Sequence, residues 1–68
     1  MKYELIRDAV MGIIESADEI LEKDNRTEIE NGQLIAYAES LCITQDAFQG
    51  YDLAKIGLDF DVDERYLQ

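Results

Sequence analysis

The sequence lacks histidine and proline, and it has only one cysteine, six basic residues and four dispersed glycines among its 68 residues. Without histidine, the chain lacks the usual general base for nucleophilic attack by serine or cysteine. The single cysteine, Cys42, cannot form an internal disulfide, which agrees with a reducing compartment. The scattered glycines do not form a phosphate-binding loop. We therefore expect no enzymatic activity and no cofactor.

Long apolar runs are also lacking, since no segment approaches the ~18 to 20 apolar residues that a bilayer span needs. The first eight residues mix both signs of charge, unlike a secretory signal. A chain of this length buries only about 60% of its unfolded surface, so a deep pocket is not expected. Because 47% of the residues are hydrophobic, the chain should nevertheless fold. We predict one cytoplasmic domain over residues 1–68.

Acidic residues dominate the charge, with 16 Asp and Glu against 6 Lys and Arg and a formal net charge of −10. A surface of this sign repels nucleic acid and anionic lipid, so we expect neither direct nucleic-acid binding nor membrane binding. A protein partner with a basic surface is favoured instead.

Apolar residues recur at steps of three and four between Lys2 and Lys23, which predicts an amphipathic first helix over that range. The predicted apolar side consists of Tyr3, Ile6, Val10, Ile13, Ala17 and Ile20, with Ile14 and Leu21 beside it. The opposite side, the acidic face, consists of Glu4, Asp8, Met11, Glu15, Asp18, Glu19 and Glu22. We take the acidic face as a candidate partner-binding surface in which Met11 would be an apolar anchor.

A second helix is predicted from Thr27 to Gln49. Thr27 and Glu30 fit a capping box, and Gly50 follows as a C-terminal stop. The pair Asn31-Gly32 is unfavourable in the first turns of a helix, so a start nearer Gly32 remains an alternative.

Apolar residues occur on most sides of this second helix, which is typical of a central helix that one neighbour cannot cover. Its main stripe consists of Leu34, Tyr37, Ala38, Leu41 and Phe48, flanked by Ile35 and Cys42. A separate strip consists of Ile29, Ala36, Ser40, Ile43 and Ala47. Two alternatives remain for what covers this strip. A symmetry mate could pack on Ala36, Ser40, Ile43 and Ala47 to form a homodimeric four-helix bundle, or the segment Leu53 to Leu67 of the same chain could cover it.

The C-terminal third carries too many apolar side chains for a solvated tail. We predict short helical turns that begin at Asp52 and Asp63, the first of which ends at Gly57. Residues 58–62 alternate as a strand would, yet a single strand has no ladder partner within the chain. Strand and extended loop stay open, and we favour an extended stretch.

Two acidic patterns resemble metal sites, and for both a solvated surface is the better interpretation. Asp59, Asp61 and Asp63 begin like an EF-hand loop, but Glu64 stands where that loop needs glycine. The carboxylates of the first helix point away from its apolar side, whereas metal-binding bundles turn such ligands inward. Their repulsion should be relieved by pairs of Glu19 with Lys23 and of Glu22 with Arg26. We predict no metal site.

The resulting fold class is all-α: a two-helix antiparallel hairpin with a C-terminal segment packed across helix 2. For function, the leading hypothesis is a small acidic protein-interaction module, an adaptor or regulator without catalytic activity. The alternative is that the acidic face mimics nucleic-acid phosphates and occupies a basic nucleic-acid-binding protein. Its carboxylates from Glu4 to Glu22 extend over ~27 Å at ~1.5 Å per residue. A metal-dependent hydrolase built on this acidic cluster is the least favoured hypothesis.

Overall fold

The computed structural model describes residues 2–67, and in that part of the chain it contains helices and no strand. The two long helices are α1, Tyr3–Leu21, and α2, Glu28–Ala47. A 3-10 turn, Leu53–Ile56, and a short helix α3, Val62–Tyr66, follow. The helices α1 and α2 form a hairpin on which the C-terminal segment folds back, so the predicted all-α hairpin is confirmed.

The first helix buries the apolar side that its periodicity predicts. Its fully buried residues are Val10, Ile14, Ala17 and Ile20, and Tyr3, Ile6, Ile13 and Leu21 pack partly buried around them. The helix ends at Leu21, two residues before the predicted end. There the Arg26 guanidinium donates a hydrogen bond to the Leu21 carbonyl oxygen (3.3 Å), which would otherwise be unpaired at the helix end.

The second helix begins where the capping box places it. Thr27 Oγ1 accepts a hydrogen bond from the backbone N–H of Glu30, and Glu30 Oε1 accepts one from the N–H of Thr27, both at 3.1 Å. The alternative start nearer Gly32 is therefore wrong. Asn31 helps to hold this first turn, because its Oδ1 accepts a hydrogen bond from Arg26 Nε (3.0 Å).

The C-terminal turns show one predicted cap and one different from the prediction. Asp52 Oδ1 accepts a hydrogen bond from the N–H of Ala54, and Gly57, with φ of +78°, ends the 3-10 turn as expected. The last helix is capped by Asp61, whose Oδ1 accepts from the N–H of Glu64 (3.1 Å). The prediction of Asp63 as that cap is wrong, because α3 already begins at Val62, whose side chain is buried.

Residues 58–61 form an irregular connection with a bend at Phe60 and not a strand, and Val62 already belongs to α3. The side chain of Gln45 on α2 takes the place of a strand partner, since its Nε2 donates to the carbonyl oxygens of Leu58 and Phe60, both at 2.8 Å. These carbonyls are thus paired without a β-ladder.

The core lies between the two long helices and the C-terminal segment. The 3-10 turn packs on α1 and α3 packs on α2, so the segment contacts both helices and not helix 2 alone. Its buried side chains are Ile56, Leu58, Val62 and Tyr66, opposite Leu34, Ala38 and Leu41 of α2. Ala36, Ser40, Ile43 and Ala47 remain exposed. The alternative in which the segment Leu53 to Leu67 covers this strip is therefore wrong.

Candidate protein-interaction surfaces

Five carboxylates of the predicted acidic face are exposed on one side of α1: Glu4, Asp8, Glu15, Glu19 and Glu22. We call these five the acidic stripe. None of them takes part in the ion pairs of residues 2–67, which join Lys23 to Glu30 and Arg65 to Asp18. The predicted pairs of Glu19 with Lys23 and of Glu22 with Arg26 are wrong, because both bases turn toward the start of α2. The acidic stripe therefore keeps its negative charge.

Asp18, the sixth carboxylate of the predicted acidic face, forms hydrogen bonds within the fold. Its Oδ2 accepts a hydrogen bond from Arg65 Nη2 (2.7 Å), and its Oδ1 accepts one from the hydroxyl of Tyr66 (2.8 Å). Tyr66 is only 4% exposed. Burial, followed by the hydrogen bond to Asp18, raises the pKa of Tyr66 to about 12. The contacts of Asp18 with Arg65 and Tyr66 were not predicted. The one available signal was that Asp18 lies at the border of the acidic face, beside the apolar side of the helix.

Met11 lies at the border of the acidic face nearest the C-terminal segment. A Cβ added to Gly57 would lie 3.4 Å from Met11 Sδ, so the two residues are neighbours. Met11 is 39% exposed. Met11 thus packs partly on its own chain and offers only part of its surface to a partner.

The strip on α2 faces solvent. Ile29 is 75% exposed and Ile43 is 69% exposed, and the smaller residues Ala36, Ser40 and Ala47 between and beyond them are also exposed. We call these five residues the outer strip. The hydroxyl of Ser40 donates to the Ala36 carbonyl oxygen (2.9 Å), so its hydrogen is used within the helix. The outer strip is therefore a largely apolar surface about five helical turns long, of which the part from Ile29 to Ile43 takes about four.

Exposed carboxylates accompany the outer strip along α2. Glu28, Glu39 and Asp46 are exposed and belong to none of the ion pairs of residues 2–67. Glu30 differs, because Lys23 and the backbone N–H of Thr27 hold its pKa below the usual value. The sequence of α2 contains no lysine or arginine. The charged side chains of α2 are consequently all carboxylates, and three of them lie along one flank of the outer strip.

Cys42 is half-buried on the side of α2 that faces α3. Its Sγ lies 3.6 Å from Asp63 Oδ1, to which the thiol donates. Burial, and next the hydrogen bond to Asp63, raises the pKa of the Cys42 thiol. The thiol is therefore protonated at neutral pH, and a protonated thiol is a poor nucleophile.

Within residues 2–67 the structure shows no cavity and no group of three or more His, Cys, Asp or Glu side chains placed to hold a metal ion. No helix in the same range has both the length and the apolar character needed to cross a membrane. Comparison of the chain with protein-family models, with curated proteins and with solved structures gives no match. The acidic stripe and the outer strip are therefore the two candidate interaction surfaces of the described residues.

Proposed function

We propose that this protein is a small cytoplasmic protein-interaction module, an adaptor or regulator without catalysis of its own. The outer strip of α2 carries the proposal. Single exposed apolar residues are common on protein surfaces. Here, however, Ile29, Ala36 and Ile43 follow each other at steps of seven, which places them on the same side of the helix.

The outer strip has the surface properties of a helix-packing site. Burying a large aliphatic side chain stabilises a complex by about 1.5–3 kcal/mol, and Ile29 and Ile43 are both available for this. Between them, Ala36 and Ser40 project little, so that a partner can approach the helix backbone closely. A protein contact along this side of α2 would thus bury apolar surface that the monomer exposes to water.

Site-specific photo-crosslinking in cells of the source organism tests this proposal. A photoreactive phenylalanine analogue replaces Gln33, which is exposed next to the outer strip, and in a control it replaces Glu15 on α1. We expect a protein adduct from position 33 that the double variant Ile29→Ser, Ile43→Ser abolishes. A module working through this surface is ruled out if position 33 gives no adduct, or one that the double variant leaves unchanged.

A homodimer is one form of this proposal, in which the partner is a second copy that packs through Ala36, Ser40, Ile43 and Ala47 to complete a four-helix bundle. Sedimentation equilibrium at micromolar concentration measures it directly. A mass of twice 7.8 kDa that Ile43→Ser returns to 7.8 kDa supports the dimer. A single 7.8 kDa species removes it.

The acidic stripe favours a second candidate function, mimicry of nucleic-acid phosphates. Its five exposed carboxylates span ~27 Å of α1 and are not neutralised by ion pairs within residues 2–67. The test is capture of basic nucleic-acid-binding proteins by the immobilised chain at low and at high salt. Mimicry predicts binding that is lost in high salt and in the variant Glu15→Lys, Glu19→Lys. Binding unchanged by the charge reversal removes this function.

A further inference from the structure

The length and straightness of the outer strip match a helical partner. Ile29 and Ile43 lie fourteen residues apart, which corresponds to ~21 Å along α2. The backbone of α2 is hydrogen-bonded within its own helix, so that it offers no edge to an added strand. A partner helix of about four turns, packed along α2, covers the outer strip from one isoleucine to the other.

Charge distinguishes between possible partner helices. The sequence of α2 contributes four carboxylates and no base, and Glu28, Glu39 and Asp46 are exposed and outside the ion pairs of residues 2–67. A second copy would bring another α2 with the same carboxylates into contact, and like charges facing each other are unfavourable. A helix with lysine or arginine beside its apolar residues complements these carboxylates.

The shape of the surface supports close packing. Gly32, Ala36 and Ser40 follow each other at steps of four between the two isoleucines, so that they form a row of small residues along the helix. A Cβ added to Gly32 would meet no atom of the chain within 4 Å. The fold therefore does not require glycine at position 32. Because Gly32 has no side chain, however, a partner helix can approach α2 closely there.

From these observations we infer that the outer strip of α2 binds a basic amphipathic helix of a partner protein. The inference rests on the proposed interaction function and names the class of partner. Apolar residues of the partner helix lie over Ala36 and Ser40 between Ile29 and Ile43. Its basic residues pair with Glu28, Glu39 and Asp46.

The probe for this inference is a synthetic 18-residue peptide of leucine and lysine, with its leucines on one side of the helix. A scrambled peptide of the same composition and a leucine–glutamate peptide serve as controls. Binding to the uniformly 15N-labelled full chain is followed by NMR at ~150 mM salt, where long-range attraction is screened. We expect saturable shifts of the amides of the outer strip with the basic amphipathic peptide and none with either control.

Two pairs of variants separate shape from charge. Gly32→Leu should weaken binding about tenfold, a loss of ~1.4 kcal/mol, whereas Gly12→Leu on α1 should leave it unchanged. Glu28→Gln, Glu39→Gln, Asp46→Asn should weaken binding several-fold. The triple variant Glu15→Gln, Glu19→Gln, Glu22→Gln removes the same net charge from α1 and should have a smaller effect. Circular dichroism verifies that each variant folds, and Ile43→Ser replaces Gly32→Leu if the latter does not.

Three results would overturn the inference. Shifts confined to the acidic stripe would show that peptide charge alone is recognised. Equal binding of the scrambled or the acidic peptide would show that the outer strip selects neither a basic nor an amphipathic helix. A homodimer whose interface is the outer strip would assign this surface to a second copy. The last result leaves the interaction function intact, while a failed crosslink from position 33 removes both.

Discussion

At the scale of single residues, Asp18 connects the C-terminal part of α1 to the short helix α3. It accepts hydrogen bonds from Arg65 and Tyr66, which lie 47 and 48 residues away. In Asp18→Ala the buried hydroxyl of Tyr66 loses its partner, and we expect the free energy of unfolding to fall by ~1–3 kcal/mol. Glu15→Ala, an exposed carboxylate of the same helix, should change it by less than ~0.5 kcal/mol. Urea unfolding followed by circular dichroism compares the two, and equal effects would contradict the role of Asp18.

The hydroxyl of Tyr66 gives the protein a defined sensitivity to alkali. Its pKa is raised to about 12 in the folded chain, against ~10 in an unfolded one. The contribution of the neutral hydroxyl to stability is therefore complete below pH 10, and it is lost as the pH rises through 12. Absorbance at 295 nm should show a tyrosine component that ionises near pH 12 and is missing from Tyr66→Phe. If Tyr66→Phe has the same titration curve, apart from one fewer tyrosine near pH 10, the buried hydrogen bond is refuted.

Glycine positions divide into those that the fold needs and those that it does not. A Cβ on Gly12 or on Gly32 meets nothing within 4 Å, and both lie inside long helices. Alanine at either position should raise the free energy of unfolding by about 0.5–1 kcal/mol. Gly57→Ala should lower it, because the backbone has φ of +78°, a conformation that side chains with a Cβ rarely adopt. Thermal unfolding of the three single variants tests this order, and a stabilising Gly57→Ala would contradict it.

At the scale of elements, the long helices could be predicted and the C-terminal segment only in part. The apolar periodicity of α1 and the capping box at Thr27 are local signals, because the residues concerned lie within three or four positions of each other. The bonds of Gln45 to residues 58 and 60, and of Asp18 to residues 65 and 66, join distant positions that no local pattern links. The same distinction explains the candidate surfaces, since the carboxylates of the acidic stripe were recognisable by spacing, whereas the exposure of the outer strip depends on where the C-terminal segment packs.

The irregular connection 58–61 between the 3-10 turn and α3 depends on one side chain of α2. In Gln45→Ala the carbonyl oxygens of Leu58 and Phe60 lose their partly buried donor, and we expect the free energy of unfolding to fall by ~1–3 kcal/mol. Gln49→Ala, at an exposed position past the end of α2, is the matched control. Hydrogen exchange should show faster opening of residues 58–66 in Gln45→Ala alone. Unchanged protection there would mean that apolar packing suffices to hold the segment.

At the scale of the whole molecule, shape and charge together explain why one side of α2 is left open. The principal dimensions are 39 × 19 × 14 Å, so the molecule is elongated. The short C-terminal segment fills one side of the hairpin and buries its own four core residues there. No further chain remains among residues 2–67 to cover the opposite side, so the outer strip stays exposed while the surface around it is acidic.

The excess of negative charge should make folding stability depend on salt. Like charges lie three or four residues apart in the acidic stripe, at Glu4 and Asp8 and again along Glu15, Glu19 and Glu22, and each such pair costs ~0.2–0.5 kcal/mol. In both ion pairs of residues 2–67 the base is exposed and the carboxylate is half-buried, and we expect each pair to contribute about 1 kcal/mol. Because the net charge is −10, the carboxylates far outnumber the bases that could pair with them, and we expect repulsion to outweigh attraction over the whole surface. Raising NaCl from ~0.01 M, where the Debye length is ~30 Å, to ~0.5 M should screen this repulsion and stabilise the fold by roughly 1 kcal/mol.

Urea unfolding at the two salt concentrations measures this effect, because urea is uncharged. Glu19→Lys is the informative variant. It turns the repulsion of position 19 by Glu15 and Glu22 into attraction, and it reduces the net negative charge from −10 to −8. It should be more stable than the parent chain at low salt and should respond less to added salt. A parent chain that loses stability as salt rises would show that the two ion pairs dominate, and the carboxylates of the acidic stripe would then be too far apart in solution to repel each other appreciably.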